Sequence, residues 1–233
     1  MRVLVLIAGT NDPSNSAFLA EAFIAGMRSV GGVTVEIIRL KDLHINHFTL
    51  ERYSPSCKPE DDFCRVQELL IAAHGVVIAS PIWNFSVPGH LKNLIDRIGA
   101  FALDQETHSK GQLKGKPFYL LFTGGAPMIA LKALMYLTTL HLPEALKYYG
   151  GTICGKDYEP HCTKAKGQFG LVVSERPETL ARMRRNGERF AACVERFAAT
   201  GSLPRSAALR HRFFEFLYRI GNRIMYRLSE KQG

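Results

Sequence analysis

The chain reads as an α/β domain built on a parallel sheet. Apolar, β-branched or aromatic runs recur near residues 3, 35, 76, 118 and 151, with helical patterns near 18, 65, 90, 130 and 180 between them. Such alternation is what parallel strands joined by helical crossovers require. The run Gly75-Val76-Val77-Ile78-Ala79 is continuous rather than alternating, as a strand buried on both faces must be. The loops after the first, third and fourth runs are dense in Gly, Ser, Thr, Asn and Pro, and in open α/β sheets ligands bind at the carboxyl ends of strands. A length of 233 residues fits one large domain, expected over 1–201, with an extension over 202–233.

Arg2 to Ala8 is the first strand, and Gly9-Thr10-Asn11-Asp12-Pro13-Ser14-Asn15-Ser16 a loop of turn formers and hydroxyls. The next helix places Leu19, Ala22, Phe23, Met27 and Val30 on one face and stops at Gly31-Gly32. A short polar loop between a buried strand and a helix N-terminus is an anion site, because unpaired N–H groups and the positive end of the helix dipole converge there. Thr10, Ser14 and Ser16 add hydroxyls, and the loop has no Lys or Arg, so a monophosphate fits better than a triphosphate. A plain capping loop is the alternative. Neither G-x-x-x-x-G-K followed by Ser or Thr, nor G-x-G-x-x-G, occurs, which argues against a P-loop NTPase and a dinucleotide fingerprint.

Thr34 to Leu40 is a second strand, with Val33, Val35 and Ile37 on one side and Ile38 and Leu40 on the other. The long loop from Lys41 to Pro59 carries His44, His47, Phe48 and Tyr53, which either touch a ligand or pack the loop onto the body. Glu60-Asp61-Asp62 suits the positive end of a helix whose buried stripe is Phe63, Val66, Leu69, Leu70 and Ala73. After the third strand, Pro81 cannot continue a central ladder, and Ile82-Trp83-Asn84-Phe85 is too apolar for a turn that only reverses the chain. Ser86 is placed to cap a helix with Pro88 in its first turn and Leu91, Leu94, Ile95 and Ile98 buried.

Leu103 to Lys116 reads as a surface connection, and Pro117 to Phe122 as a fourth strand ending in Thr123-Gly124-Gly125, where the backbone can approach a flat ligand. Met128 to Tyr148 is expected to be helical, interrupted or kinked at Pro143. Gly150 to Cys154 is a short, weakly marked fifth strand followed by an insertion to Ser174, and Pro177 opens the last core helix. Cys57, Cys64, Cys154, Cys162 and Cys193 form no CxxC pair, so neither a disulfide framework nor a usual zinc site is indicated, and a cytoplasmic setting is expected. No apolar run is long enough to span a bilayer, and the start lacks a signal-peptide pattern.

The net charge of +9 favours anionic partners. From residue 205 onward seven Lys or Arg face two Glu, so the tail supplies 7 − 2 = +5 of it. Within 205–228, Leu209, Phe213, Leu217, Ile220, Ile224 and Leu228 share one helical face with Arg210, Arg219, Arg223 and Arg227 around it. Such a helix lies on an acidic membrane, or docks on its own domain or a partner subunit. Nucleic acid is not indicated, since aromatic and basic residues are not interleaved in the core.

Pro81-Ile82-Trp83-Asn84, Ser86-Val87-Pro88, Leu91-Lys92-Asn93 and Asp96 together resemble the flavin-contacting loop of the flavodoxin-like NAD(P)H-dependent FMN, quinone and azo reductases. The resemblance implies a doubly wound five-stranded parallel sheet of order 2-1-3-4-5, followed here by the C-terminal amphipathic helix. It implies FMN, with NADPH or NADH as co-substrate. The ribityl phosphate would be held by Thr10, Ser14, Asn15 and Ser16, and the isoalloxazine by Pro81, Ile82, Trp83, Asn84 and Phe85. Thr123, Gly124 and Gly125 would offer N–H groups to the N1 and O2 edge. Hydride would pass through flavin N5 to a quinone, azo, nitro or flavin acceptor by ping-pong, with no catalytic side chain, and a homodimer or tetramer would be usual. The hydroxyl-rich first loop differs from that of electron-carrier flavodoxins. A flavoprotein carrier or regulator without turnover, or a flavin-free module acting through the basic tail, are the other readings.

Overall fold

The computed structural model describes residues 1–56, 60–133, 135–164, 170–203, 207–209, 211–213, 216–218, 220 and 221. Strands β1 (Arg2–Ile7), β2 (Thr34–Arg39), β3 (Gly75–Pro81), β4 (Pro117–Thr123) and β5 (Thr152–Glu159) form one parallel sheet of order β2-β1-β3-β4-β5. Helices α1 (Asn15–Ser29) and α7 (Pro177–Thr200) cover one face; α2 (Phe63–Ala72), α3 (Gly89–Ala102) and α6 (His141–Tyr148) cover the other. Along β1 and β3, side chains go alternately to the two layers: Val3, Val5, Val77 and Ala79 to α1 and α7, Leu4, Leu6, Val76 and Ile78 to α2 and α3. Every residue of β3 is buried. That is why its sequence shows no alternation.

α1 and α7 cross closely because glycine stands on each at the contact. A Cβ on Gly26 would lie 1.9 Å from the Arg184 carbonyl oxygen, and one on Gly187 2.1 Å from that of Phe23. With the order reversing beside β1, the loops after β1 and β3 open toward one edge, the switch-point crevice of a flavodoxin-like fold.

Several expectations are corrected. Val30 and Ile37 are exposed at 44% and 42%, since one ends α1 and the other lies on an edge strand covered mainly on the side of Ile38. β5 runs to Glu159, beyond Cys154, so the expected insertion from Gly155 opens with the end of the strand. Over 128–148 the described residues are helical in α4 (Met128–Ala133), α5 (Met135–Thr139) and α6, and the interruption expected near Pro143 falls at Leu140. Pro143 itself sits in the first turn of α6, where its missing N–H is harmless. Ser86 is not a cap: α3 starts at Gly89 with Pro88 before it, and Ser86 instead exchanges two backbone hydrogen bonds with Trp83.

The connection 103–116 is not purely superficial. Leu113 and Lys116 are buried, and Lys116 Nζ donates to the carbonyls of Leu70 and Ile71 in the last turn of α2. Burial lowers the Lys116 pKa to about 8. Asp61 and Asp62 act less on the helix dipole than on the 41–56 loop: Asp62 accepts from His44 N at 2.7 Å and Asp61 from Asn46 N at 2.9 Å. Cys64 is held in a disulfide, a bond the cysteine spacing did not indicate.

α7 ends at a left-handed Gly201. Beyond it, Leu203 and Ala207 bury against Cys154 and Cys193, and the Tyr218 ring meets Tyr148 of α6 edge-on at 5.5 Å. The predicted tail positions Arg210, Arg219, Arg223, Ile224, Arg227 and Leu228 lie outside the described residues.

Candidate active site

The crevice at the carboxyl end of the sheet is an open cleft of about 460 Å³, within the range of small-molecule sites. It is lined by Ser14, Asn15 and Ser16 from the first loop, Pro81, Ile82, Trp83 and Asn84 from the loop after β3, and Thr123, Gly124 and Gly125 from the loop after β4. Of the residues singled out in the sequence, Thr10 and Phe85 do not line it. Thr10 points to solvent, and Phe85 is 60% exposed. Gly9, Asn11, Cys162 and Thr163 complete the wall. The last two come from a fourth loop, after β5.

At the first loop, Ser14 caps α1 by accepting from Ala17 N, and its hydroxyl lies 3.0 Å from that of Ser16. Both side chains are buried at the start of a fifteen-residue helix. A Cβ on Gly9 would fall 2.3 Å and 2.4 Å from these two hydroxyls. Glycine there is what lets them fold over the loop. Cations come from elsewhere: Lys41 and Arg39 reach Asp12 of this loop at 3.2 Å and 3.9 Å. Asn15 differs from its expected role. Its Nδ2 donates to Gly170 O at 2.8 Å and its Oδ1 accepts from Val172 N and Val173 N. The side chain is thus a strut to the fourth loop rather than a donor aimed at an anion.

The loop after β3 is a tight reversal. Trp83 N donates to Ser86 O at 2.8 Å and Ser86 N to Trp83 O at 3.0 Å, with Asn84 and Phe85 between them at φ of 48° and 68°. Two consecutive positive φ values are the signature of a type I′ turn, and Asn accepts that region better than most residues. The two hydrogen bonds that close the turn do not use the N–H groups of Asn84 and Phe85. It is braced by Thr138 of α5, whose hydroxyl bonds the Phe85 carbonyl, and its base is pinned by Ile82 N donating to Thr123 O at 2.7 Å. His90, in the first turn of α3, bonds Ala8 O at 2.9 Å and so ties this unit to the end of β1.

In the loop after β4, Gly124 N donates to Glu159 O at 3.0 Å and Cys162 N to Gly124 O at 2.9 Å. The N–H of Gly124 is therefore spent on β5, and the face it was expected to offer a ligand passes to Gly125 and Thr163. Glu159 anchors the fourth loop: its buried carboxylate accepts from Arg176 and Arg182, both at 2.7 Å, and from Thr179 at 3.1 Å. Burial pushes the Cys162 thiol up to about 11, so it faces the cleft protonated. His44, His47, Phe48 and Tyr53 stay away from this wall; Phe48 and Tyr53 stack edge-on at 5.6 Å and Asn93 accepts from Phe48 N at 2.7 Å. Among the described residues no group of three His, Cys, Asp or Glu could hold a metal ion.

A hydroxyl-lined helix start, an aromatic turn and a glycine pair meet at one switch point of a flavodoxin-like fold. Residues 1–145 match the family model for NADPH-dependent FMN reductases. The chain belongs to that family, and it is an FMN-dependent NAD(P)H oxidoreductase. It is 29% identical over 140 residues to the iron-sulfur flavoprotein of Archaeoglobus fulgidus, covering 57% of this chain and 67% of that protein. It is 27% identical over 169 residues to the FMN-dependent NADH:quinone oxidoreductase of Bordetella avium, covering 64% and 81%. In fold it resembles the NAD(P)H:quinone oxidoreductase from Methanothermobacter marburgensis, with TM-score 0.64, 21% identity, and 82% and 96% of the two chains covered.

Proposed function

We propose that this flavoenzyme takes a hydride from NAD(P)H and delivers it to a quinone or a comparable electron-poor acceptor, azo, nitro or flavin, by ping-pong. The observation that supports this most is the convergence of the loops after β1, β3 and β4 on one open cleft. Bound FMN supplies the redox chemistry: N5 accepts and donates the hydride.

The residues of the chain bind, orient and polarise. Ser14 and Ser16 hydroxyls and the first N–H groups of α1 hold the phosphate, because the positive end of the helix dipole favours an anion there. Pro81, Ile82 and Trp83 line the cleft and would give the ring an apolar bed, and the N–H groups of the Asn84–Phe85 turn would serve its N5 and O4 side. Gly125 and Thr163, also in the lining, would serve the N1 and O2 side, where donors oppose the negative charge that accumulates on reduction. No side chain is needed as acid or base, and Cys162, protonated, is not a nucleophile. Phe85, Ile129 and Leu137 stand exposed on the turn and helices bordering the cleft, and a second copy of the chain would cover them in a homodimer.

The test is spectroscopic. Purified protein reconstituted with FMN and titrated anaerobically with NADH and then NADPH should bleach its flavin absorbance, and a quinone should restore it in a separate half-reaction. A yellow protein that neither nicotinamide bleaches is a carrier, and the enzymatic reading is then wrong.

A further inference from the structure

We infer that the C-terminal segment beyond Gly201 is a docking surface for an anionic lipid bilayer. The described residues between 207 and 221 are helical, and they separate into two faces. Ala207 is buried at 4% exposure, and the Tyr218 hydroxyl donates to the Glu144 carboxylate of α6 at 3.1 Å. At about 100° per residue both lie roughly opposite Leu209 on a helix. The Leu209 side carries Phe216, Leu217 and Ile220, and these four are 71%, 59%, 44% and 40% exposed. The segment therefore docks on its own domain through Leu203, Ala207 and Tyr218, and the described part of the predicted apolar stripe, Leu209, Phe213, Leu217 and Ile220, is exposed. Folding back onto the body does not account for the stripe.

Charge selects the occupant. Residues 205–233 hold seven Lys or Arg against two Glu, a net of 7 − 2 = +5. Two such segments brought face to face would repel, whereas acidic headgroups attract basic side chains that flank an apolar face. Large exposed apolar side chains bordered by cations are what a helix lying in the interfacial plane presents. No helix among the described residues is long and apolar enough to cross a membrane, so the contact is with the surface. Because the segment packs on Cys154, Cys193 and Tyr148, none of which lines the cleft, docking leaves the site open to a lipid-soluble acceptor. The inference does not depend on which acceptor is used.

The experiment is co-sedimentation of the full-length flavoprotein with vesicles of phosphatidylcholine alone and of phosphatidylcholine with phosphatidylglycerol. The expected result is at least about tenfold tighter binding to the anionic vesicles, weakened by salt. A Leu209→Ser/Leu217→Ser variant should lose at least about tenfold of it, and Arg219→Glu/Arg223→Glu a similar factor. Circular dichroism and flavin content of each variant serve as controls for folding. Equal binding to both vesicles, binding to neither, or undiminished binding by the folded variants overturns the inference. So does a leucine variant that changes the mass measured by light scattering while its lipid binding stays as in the parent, which would show the face covered by a second copy.

Discussion

Replacing Ser16 by Ala isolates the anion site. The Ser16 side chain is 1% exposed and its hydroxyl lies 3.0 Å from that of Ser14, at the first turn of α1. Ser14 alone provides the cap by accepting from Ala17 N, so the helix keeps its N-terminal support and the apoprotein should melt close to the parent. What is lost is one hydroxyl donor to a phosphate. A hydrogen bond to a charged group contributes about 1.5–3 kcal/mol, which converts to a loss of roughly tenfold to a hundredfold in FMN affinity. Ser16→Glu goes further. A carboxylate about 4 Å from a phosphate carrying between one and two charges is opposed by on the order of 4 kcal/mol per charge at an effective dielectric of 20, enough to expel the cofactor. Quenching of FMN fluorescence on titration with apoprotein measures both. If Ser16→Ala binds FMN within about threefold of the parent, and Ser16→Glu still purifies yellow, the phosphate does not sit at this helix.

Asp61 pairs with Arg97 in the interior, their side chains 2% and 7% exposed. Burial works against the Asp61 carboxylate, but the Arg97 bond and the N–H groups of Asn46 and Phe63 outweigh it and hold its pKa below the usual value. The stability this gives is present above the unfolded pKa of about 3.9 and is lost as pH falls through the lowered folded value. Asp61→Asn should cost about 3–5 kcal/mol at pH 7, because it strands the buried Arg97, and should flatten the acid limb of urea stability against pH; an unchanged limb would mean the pair does not govern it. At Phe85, φ is 68° and the ring is exposed, so Phe85→Gly should stay within about 1 kcal/mol of the parent by thermal melting while Phe85→Val, β-branched in the left-handed region, loses more; equal losses would argue that the turn relaxes. Cys162, with its thiol pushed up to about 11 by burial, should be about a thousandfold short of thiolate at pH 8. Peptide mapping after iodoacetamide should find it unmodified in the native protein, and rapid labelling would contradict the protonated wall described above.

Strands β1 and β3 and the three loops were legible because they depend on short-range signals, β-branched runs and the glycine, hydroxyl and aromatic clusters where those runs stop. The strand order, a matter of long-range pairing, came only from the family resemblance. β5 was less legible. Its residues Lys156, Asp157 and Glu159 are polar, and they are tolerated in a strand because partners come from far along the chain: Asn186 and Tyr119 for Asp157, Arg176, Thr179 and Arg182 for Glu159. No local pattern announces such pairings. Ser86 was misread for a related reason. A serine two residues before a proline looks like a cap, whereas the two hydrogen bonds to Trp83 make it the closing residue of a turn. Asn84 was the available clue, since Asn is a frequent occupant of positive φ.

Asn15 shows how the two ends of the cleft are joined. A side chain at the first residue of α1 holds Gly170, Val172 and Val173, and the same fourth loop is clamped at its base by Arg176 on Glu159 and on the carbonyls of Pro160 and His161. Glu159 in turn receives the Gly124 N–H through its carbonyl. The anion loop, the glycine pair and the wall bearing Cys162 and Thr163 are thus one hydrogen-bonded frame, although their residues lie up to 158 positions apart. Order at the first loop is therefore transmitted to the wall through fixed bonds. In the function proposed above, where the chain's part is to position a flat ring against a developing charge, preorganisation of that kind would be its main contribution.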